Sequence, residues 1–142
     1  MNWLAFLIGL TLATNGWTPL HTAASNGDVK TVKLLLLIKP GDLNATEAGQ
    51  HTPLHVAVFD GRTEVTGLLI ERGASVNAPD VCGWTPLHTA ANRSEKAAAE
   101  LLIAKGADVN FKDKKGQTPL RLALKYKHDD VAILLREHGA HE

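Results

Sequence analysis

A tetrapeptide returns along this chain at a fixed period, and that recurrence constrains the fold more than any other feature. Thr-Pro-Leu-His occurs at Thr18–His21, Thr52–His55 and Thr85–His88, and the variant Thr-Pro-Leu-Arg at Thr118–Arg121. Successive copies are 34, 33 and 33 residues apart. Asn44, Asn77 and Asn110 each stand eight residues before the next such threonine. The apolar pairs Leu34-Leu35, Leu68-Leu69, Leu101-Leu102 and Leu134-Leu135 fall 16 and 17 residues after it. Three markers in one register describe a repeat architecture, in which a single unit cannot bury its apolar face and stacked units share a core.

The chemistry of one period can be read residue by residue. Thr85 precedes an apolar periodic run, so its hydroxyl can accept from the free N–H groups of a helix start. Pro86 then falls at the first helical position, where its missing N–H costs nothing. His88 stands where a capping box places Glu or Gln, and its imidazole is expected to make a comparable hydrogen bond beside the cap. Ala90 and Ala91 are small enough to let neighbouring helices approach. Leu101, Leu102 and Ile103 belong to a second helix, which Gly106 ends in the left-handed conformation. Ala107, Asp108, Val109 and Asn110 lead through a turn to the next cap. Each period thus reads as helix, turn, helix and projecting loop.

The pattern Asp-x-x-Gly-x-Thr-Pro-Leu-His-x-Ala-Ala…Leu-Leu…Gly-Ala-Asp-Val-Asn of Asp80 to Asn110 resembles the ankyrin repeat. The resemblance covers four repeats, about 15–46, 47–79, 80–112 and 113–142, so that 15–142 is one repeat domain behind an apolar segment, 1–14. It implies an all-α solenoid, a curved stack of helix pairs with hairpin-like loops set at right angles to the helices. Departures from the pattern carry their own expectations. The first repeat has one extra residue near Leu36–Pro40, and Pro40 replaces the glycine of later repeats (Gly73, Gly106, Gly139), so its second helix ends differently. Ser94 and Lys127 stand where the first two repeats have Gly27 and Gly61, at a cost of about 1 kcal/mol each if that backbone is left-handed. The second repeat has Gly49-Gln50 where others place Gly one residue later, which reshapes its loop tip. Arg121 replaces His in the fourth repeat, whose Lys125, Lys127, His128, Asp129 and Asp130 suit a C-terminal cap facing water.

The totals narrow the function classes. The chain has 142 residues, enough for one compact domain with a core of its own. Fifteen basic side chains balance fifteen acidic ones, whereas sequence-independent nucleic-acid binding needs a basic surplus, so no nucleic acid is expected. Cys82 is the single cysteine, which excludes an internal disulfide and a cysteine-rich zinc site and suits a reducing, cytoplasmic setting. Trp3 to Ala13 is almost wholly apolar but shorter than the roughly 20 residues of a membrane-spanning helix. Two readings of it stand. No Lys or Arg precedes it, and Leu4, Leu7, Ile8 and Thr11 fall at helical spacing, which suits an incomplete first repeat. Thr11 and Ala13 before Asn15 suit a secretory cleavage site, which would make the protein secreted or periplasmic.

Catalysis and metal binding find no support in the pattern. There is no Gly-rich phosphate loop, no G-x-S-x-G elbow and no paired-carboxylate arrangement, so no enzyme activity or cofactor is expected. His21, His55 and His88 recur beside helix caps, which marks them as structural. His51 and His55 are four apart but separated by Pro53 at a helix start, without the continuous helix of an H-E-x-x-H site. His138 and His141 lie near the chain end, where solvation is expected. Cys82 sits at a loop tip next to Val81 and Asp80, an environment that does not favour a thiolate.

In the ankyrin family a partner protein meets the loop tips and the exposed face of each first helix. Carried over by repeat position, that concave surface comprises Trp17, Ser25 and Asn26, then Ala48, His51, Phe59 and Asp60. It continues with Val81, Cys82, Trp84, Asn92 and Arg93, then Lys114, Lys115, Gln117, Lys125 and Tyr126. These positions differ from repeat to repeat while core positions agree. Phe59 occupies a site that holds Ser25, Asn92 and Lys125 in the sister repeats, and it is expected to be exposed. Trp17 and Trp84 fit two roles, contact with a partner or padding of the loop against the next repeat. From Phe111 to Lys127 six basic residues (Lys112, Lys114, Lys115, Arg121, Lys125, Lys127) face one acid, Asp113. That excess suits a solvated cap or an acidic partner. The reading that follows is a monomeric protein-binding module, with a structural fragment of a larger ankyrin protein as the alternative.

Overall fold

The computed structural model describes residues 16–142, so both readings of the apolar segment at 1–14 lie outside the described residues. Within them the chain is all-α, with no strand. Four helix pairs follow one another: α1 (Pro19–Asn26) and α2 (Val29–Ile38), α3 (Pro53–Phe59) and α4 (Thr63–Glu71), α5 (Pro86–Arg93) and α6 (Lys96–Ala104), α7 (Pro119–Lys125) and α8 (Asp129–Glu137). First helices stack on first helices, α1 on α3, α3 on α5 and α5 on α7. Second helices form a parallel layer, α2 on α4, α4 on α6 and α6 on α8.

Every first helix starts as its sequence dictates. Thr18, Thr52, Thr85 and Thr118 lie in extended backbone and accept at Oγ1 from the amide three residues on, with proline at the first helical position. The leucine two residues past each threonine (Leu20, Leu54, Leu87, Leu120) is at most 1% exposed. Burial of each such side chain is worth about 1.5–3 kcal/mol. Ala23, Ala57, Ala90 and Ala123 lie in the same core and leave room for the close approach of first helices. Leu69, Leu102 and Leu135 fill the layer below.

Most departures from the repeat pattern act as expected, but the loop tip of the second repeat is not reshaped and keeps the turn of the third and fourth. Ser94 (φ 60°) and Lys127 (φ 61°) adopt the left-handed conformation of Gly27 and Gly61. Gln50 (φ 61°) takes the place that Gly83 and Gly116 hold in the third and fourth repeats. The extra residue of the first repeat lengthens α2 to ten residues against nine in α4, α6 and α8. Lys39 caps it, and Pro40 opens a 3-10 turn, Pro40–Asn44, in place of a glycine stop. The outer side of α2 is bare among the described residues. Leu34 is 54% exposed, while its counterparts Leu68 and Leu134 are 8% and 6% exposed and Leu101 is half-buried.

Candidate functional site

The repeats are joined by polar contacts that their shared motif supplies. The amide of Thr18 donates to Nδ1 of His21, and those of Thr52 and Thr85 donate likewise to His55 and His88, at 3.1–3.2 Å. Nδ1 therefore carries no proton, and Nε2–H donates across the seam to the carbonyl oxygens of His51, Trp84 and Gln117, at 2.9, 2.9 and 3.0 Å. Both halves of the capping box are present in α1, α3 and α5. Burial pushes the pKa of all three imidazoles below the ordinary 6.5, with the carbonyl bonds and nearby carboxylates only partly opposing it. A neutral ring bonded at both nitrogens has no lone pair left for a metal, which fixes these histidines as structural. Arg121 stands at the matching position of α7, and its amide donates to the Thr118 hydroxyl.

The spaced asparagines stitch the lower loops in the same way. Asn77 accepts from the amide of Asp108 and donates to Gly106 O, and Asn110 accepts from His141 N and donates to Gly139 O. Asn44 accepts from Ser75 N. At the projecting tips, Asp80 Oδ1 accepts from the amides of Cys82 and Trp84, and Asp113 Oδ1 from those of Lys115 and Gln117. Neighbouring tips are bonded to one another through Val81 N to Gly49 O and Lys114 N to Cys82 O.

This scaffold brings five of the expected surface residues to one place. Trp17, His51, Phe59, Asp60 and Trp84 line a largely apolar pocket of about 360 Å³, together with His55, Val56, Asp80 and Thr89. Phe59 is 50% exposed, and the Arg93 guanidinium lies 4.5 Å from its ring centroid. Asp60 is exposed and accepts from the Ser25 hydroxyl at 2.6 Å. Val56 and Thr89 were not among the expected surface residues. Their signal was helical spacing, since Val56 stands three before Phe59 and Thr89 four before Arg93 and so on the same faces.

His51 is half-buried between two carboxylates, with Nδ1 2.7 Å from Glu47 Oε1 and Nε2 3.2 Å from Asp80 Oδ2. Hydrogen bonds from His51 hold the Glu47 carboxyl below its ordinary range, against burial, which acts to raise it. The two tryptophans part company. Trp84 Nε1 donates to Asp113 Oδ2 of the next repeat at 2.9 Å, the padding role. Trp17 Nε1 donates to Thr22 Oγ1 of its own repeat at 2.8 Å, which leaves the ring against the pocket.

The other expected positions lie outside that pocket. Asn26 ends α1 beside Arg62, and Asn92 is half-buried on α5. Ala48, Val81 and Cys82 are exposed at the second and third tips. Lys114 and Lys115 are exposed at the fourth tip, where Gln117 is half-buried, and Lys125 and Tyr126 are exposed at the end of α7. His138 and His141 are exposed, and His138 Nδ1 bonds to Leu134 O. Among the described residues no helix is long and apolar enough to cross a membrane.

The family model for ankyrin repeats (three copies) matches residues 3–80 and 77–142. Among curated relatives, Ankyrin repeat domain-containing protein 7 of Homo sapiens is 42% identical over 64 residues, 45% of this chain and 25% of that protein. The Probable 26S proteasome regulatory subunit p28 of Saccharomyces cerevisiae is 46% identical over 63 residues, 43% of this chain and 27% of that protein. Alpha-latrotoxin-Lh1a of Latrodectus hasselti is 38% identical over 61 residues, 42% of this chain and 4% of the toxin. The matched stretch therefore spans no more than 27% of any of these three relatives. With that family model matched along nearly the whole sequence, the chain belongs to the ankyrin repeat family.

Proposed function

We propose that this chain binds a partner protein through the face built from its loop tips and first helices, and that the pocket framed by Trp17, Phe59 and Trp84 receives an apolar side chain of that partner. Ankyrin repeats are in general protein–protein interaction modules. The observation that carries the reading is the exposure of Phe59 beside a 360 Å³ apolar pocket on a helix whose other apolar residues are buried. Interfaces concentrate their energy in aromatic and arginine side chains around such pockets, and Phe59 and Arg93 already form a preorganised pair. The protein acts in this reading as a monomer and without catalysis.

The test compares the intact chain with Phe59→Ala/Arg93→Ala, both exposed positions, after showing that the two melt alike. A protein retained by the intact chain is identified and titrated against each. Binding that weakens at least about tenfold, or about 1.4 kcal/mol, supports the reading. Equal affinity for both overturns the placement of the site.

A further inference from the structure

The loop tip and first helix of the fourth repeat, residues 112–127, carry a basic excess, while the exposed acids of that repeat, Asp129, Asp130, Glu137 and Glu142, stand on its second helix α8 and after it. Lys112, Lys114, Lys115, Arg121, Lys125 and Lys127 are all exposed, and none of them forms an ion pair among the described residues. The one acid in the same stretch, Asp113, is 7% exposed and turned inward. Its Oδ1 accepts two loop amides and its Oδ2 accepts Trp84 Nε1, so it pairs with no lysine. This stretch has a formal charge of +5 within a neutral chain. Arg121 and Lys125 are four apart on α7, hence on one face, and with Leu124 they line a groove of about 490 Å³. Lys114 and Lys115 occupy the loop tip that leads into that helix, and Lys125 Nζ lies 5.3 Å from the Tyr126 ring centroid.

A cap facing water needs polar side chains but no single sign of charge. The opposite end of the groove shows the difference: Glu142 lines it too, and its Oε1 is taken up by Arg136 at 3.3 Å. We infer that the fourth repeat is the docking site for an acidic segment of the partner protein, laid along the tip lysines and α7. The inference rests on the protein-binding reading above and adds the chemistry of the bound segment. Opposite charge on the partner would speed encounter and fix its direction along the stack, with its apolar anchor at the first three repeats and its acidic stretch at the fourth. Unpaired lysines at an exposed surface keep their solvation until that segment arrives, so the free chain incurs little desolvation cost for them.

The test uses a display library of random peptides selected on the intact chain, with the peptides recovered then made synthetically and titrated. Expected is an excess of Asp and Glu in the recovered set, with binding weakened at least about tenfold by Lys114→Glu/Lys115→Glu/Lys125→Glu and reduced as salt rises. If the triple change lowers the melting temperature, Lys114→Glu alone carries the comparison. Peptides that lose binding in Phe59→Ala but carry no acidic excess and ignore the lysine changes would overturn the acidic segment and leave the protein-binding reading intact. Recovered peptides sensitive to neither set of changes would overturn both. A single-stranded oligonucleotide that binds more tightly than every recovered peptide, and loses that binding in the lysine variant, would replace the acidic segment with a nucleic acid.

Discussion

The Nε2–H of His55 donates to the carbonyl oxygen of Trp84 at 2.9 Å, so the ring that closes one helix cap also fastens the second repeat to the third. His21 and His88 make the same bond across the seams on either side. All three need the neutral ring, because Nδ1 must accept from a threonine amide.

That requirement gives stability a pH dependence of known sign. Burial holds the folded-state pKa of these histidines below 6.5, so below that pH the unfolded chain binds more protons than the folded one. Their stabilising contribution is full above the unfolded value and declines as pH falls through it toward the lower folded values. Urea midpoints should fall steadily from about pH 7.5 to about pH 5.5, a window above the range where carboxylates titrate. His55→Gln, whose side-chain amide can both donate and accept but does not titrate, should reduce that slope. A midpoint that does not move over this range would show that the folded chain takes up protons as readily as the unfolded one.

Leu102 is fully buried in the layer of second helices. Leu102→Ala should lower the unfolding free energy by about 2–5 kcal/mol, the transfer term plus a cavity term. Phe59→Ala removes a larger side chain from a half-exposed position and should cost less. Equilibrium denaturation of the two variants side by side decides it; the reverse order would mean that Phe59, not Leu102, is the better packed residue.

Ser94 holds a left-handed backbone (φ 60°) where the first two repeats use glycine, and its amide closes α5 by donating to Ala90 O. An L-residue there costs about 1–2 kcal/mol, while glycine costs about 0.4–1 kcal/mol in the unfolded chain. Ser94→Gly should therefore stabilise by up to about 1.6 kcal/mol, the largest difference between those two terms. Ser94→Ala, which keeps the strain, should not stabilise. A lower melting temperature for Ser94→Gly would show that the serine hydroxyl contributes more than the strain removes.

The repeat, the caps and the left-handed positions were legible because each is a local rule acting within a few residues of chain. Thr85, Pro86 and His88 declare a helix start wherever they occur, and Ser94 announces its backbone by standing in a glycine's place. The pocket was legible only in part. Phe59 stood out because its sister positions are polar, whereas Val56 and Thr89 look like ordinary helix residues until the first helices are stacked. The fate of the tryptophans could not be read at all from their own positions. Trp84 faces Asp113 of the next repeat, but the acid at the matching place beyond Trp17 is Glu47, whose longer side chain turns back to His51 and accepts both its amide and Nδ1. One methylene in the neighbouring repeat thus accompanies a different partner for the same residue.

That contrast between Trp84 and Trp17 can be measured. Trp84→Phe keeps an aromatic side chain but loses the pyrrole ring with its Nε1 donor, which leaves Oδ2 of Asp113, a residue 7% exposed, short of its hydrogen bond. An acceptor stranded in that way costs about 1–3 kcal/mol, more where it is charged. Trp17→Phe removes a bond to the hydroxyl of Thr22, an exposed residue that water can satisfy instead, so its cost should stay under about 1 kcal/mol. The two substitutions are chemically identical and occupy the same repeat position, so propensity and ring packing largely cancel between them. A difference in unfolding free energy with Trp84→Phe the larger would assign it to the seam between the third and fourth repeats. Equal losses would mean that water reaches Asp113 once the indole is gone, and that the loop tips are held by their amide bonds to the aspartates rather than by the tryptophan.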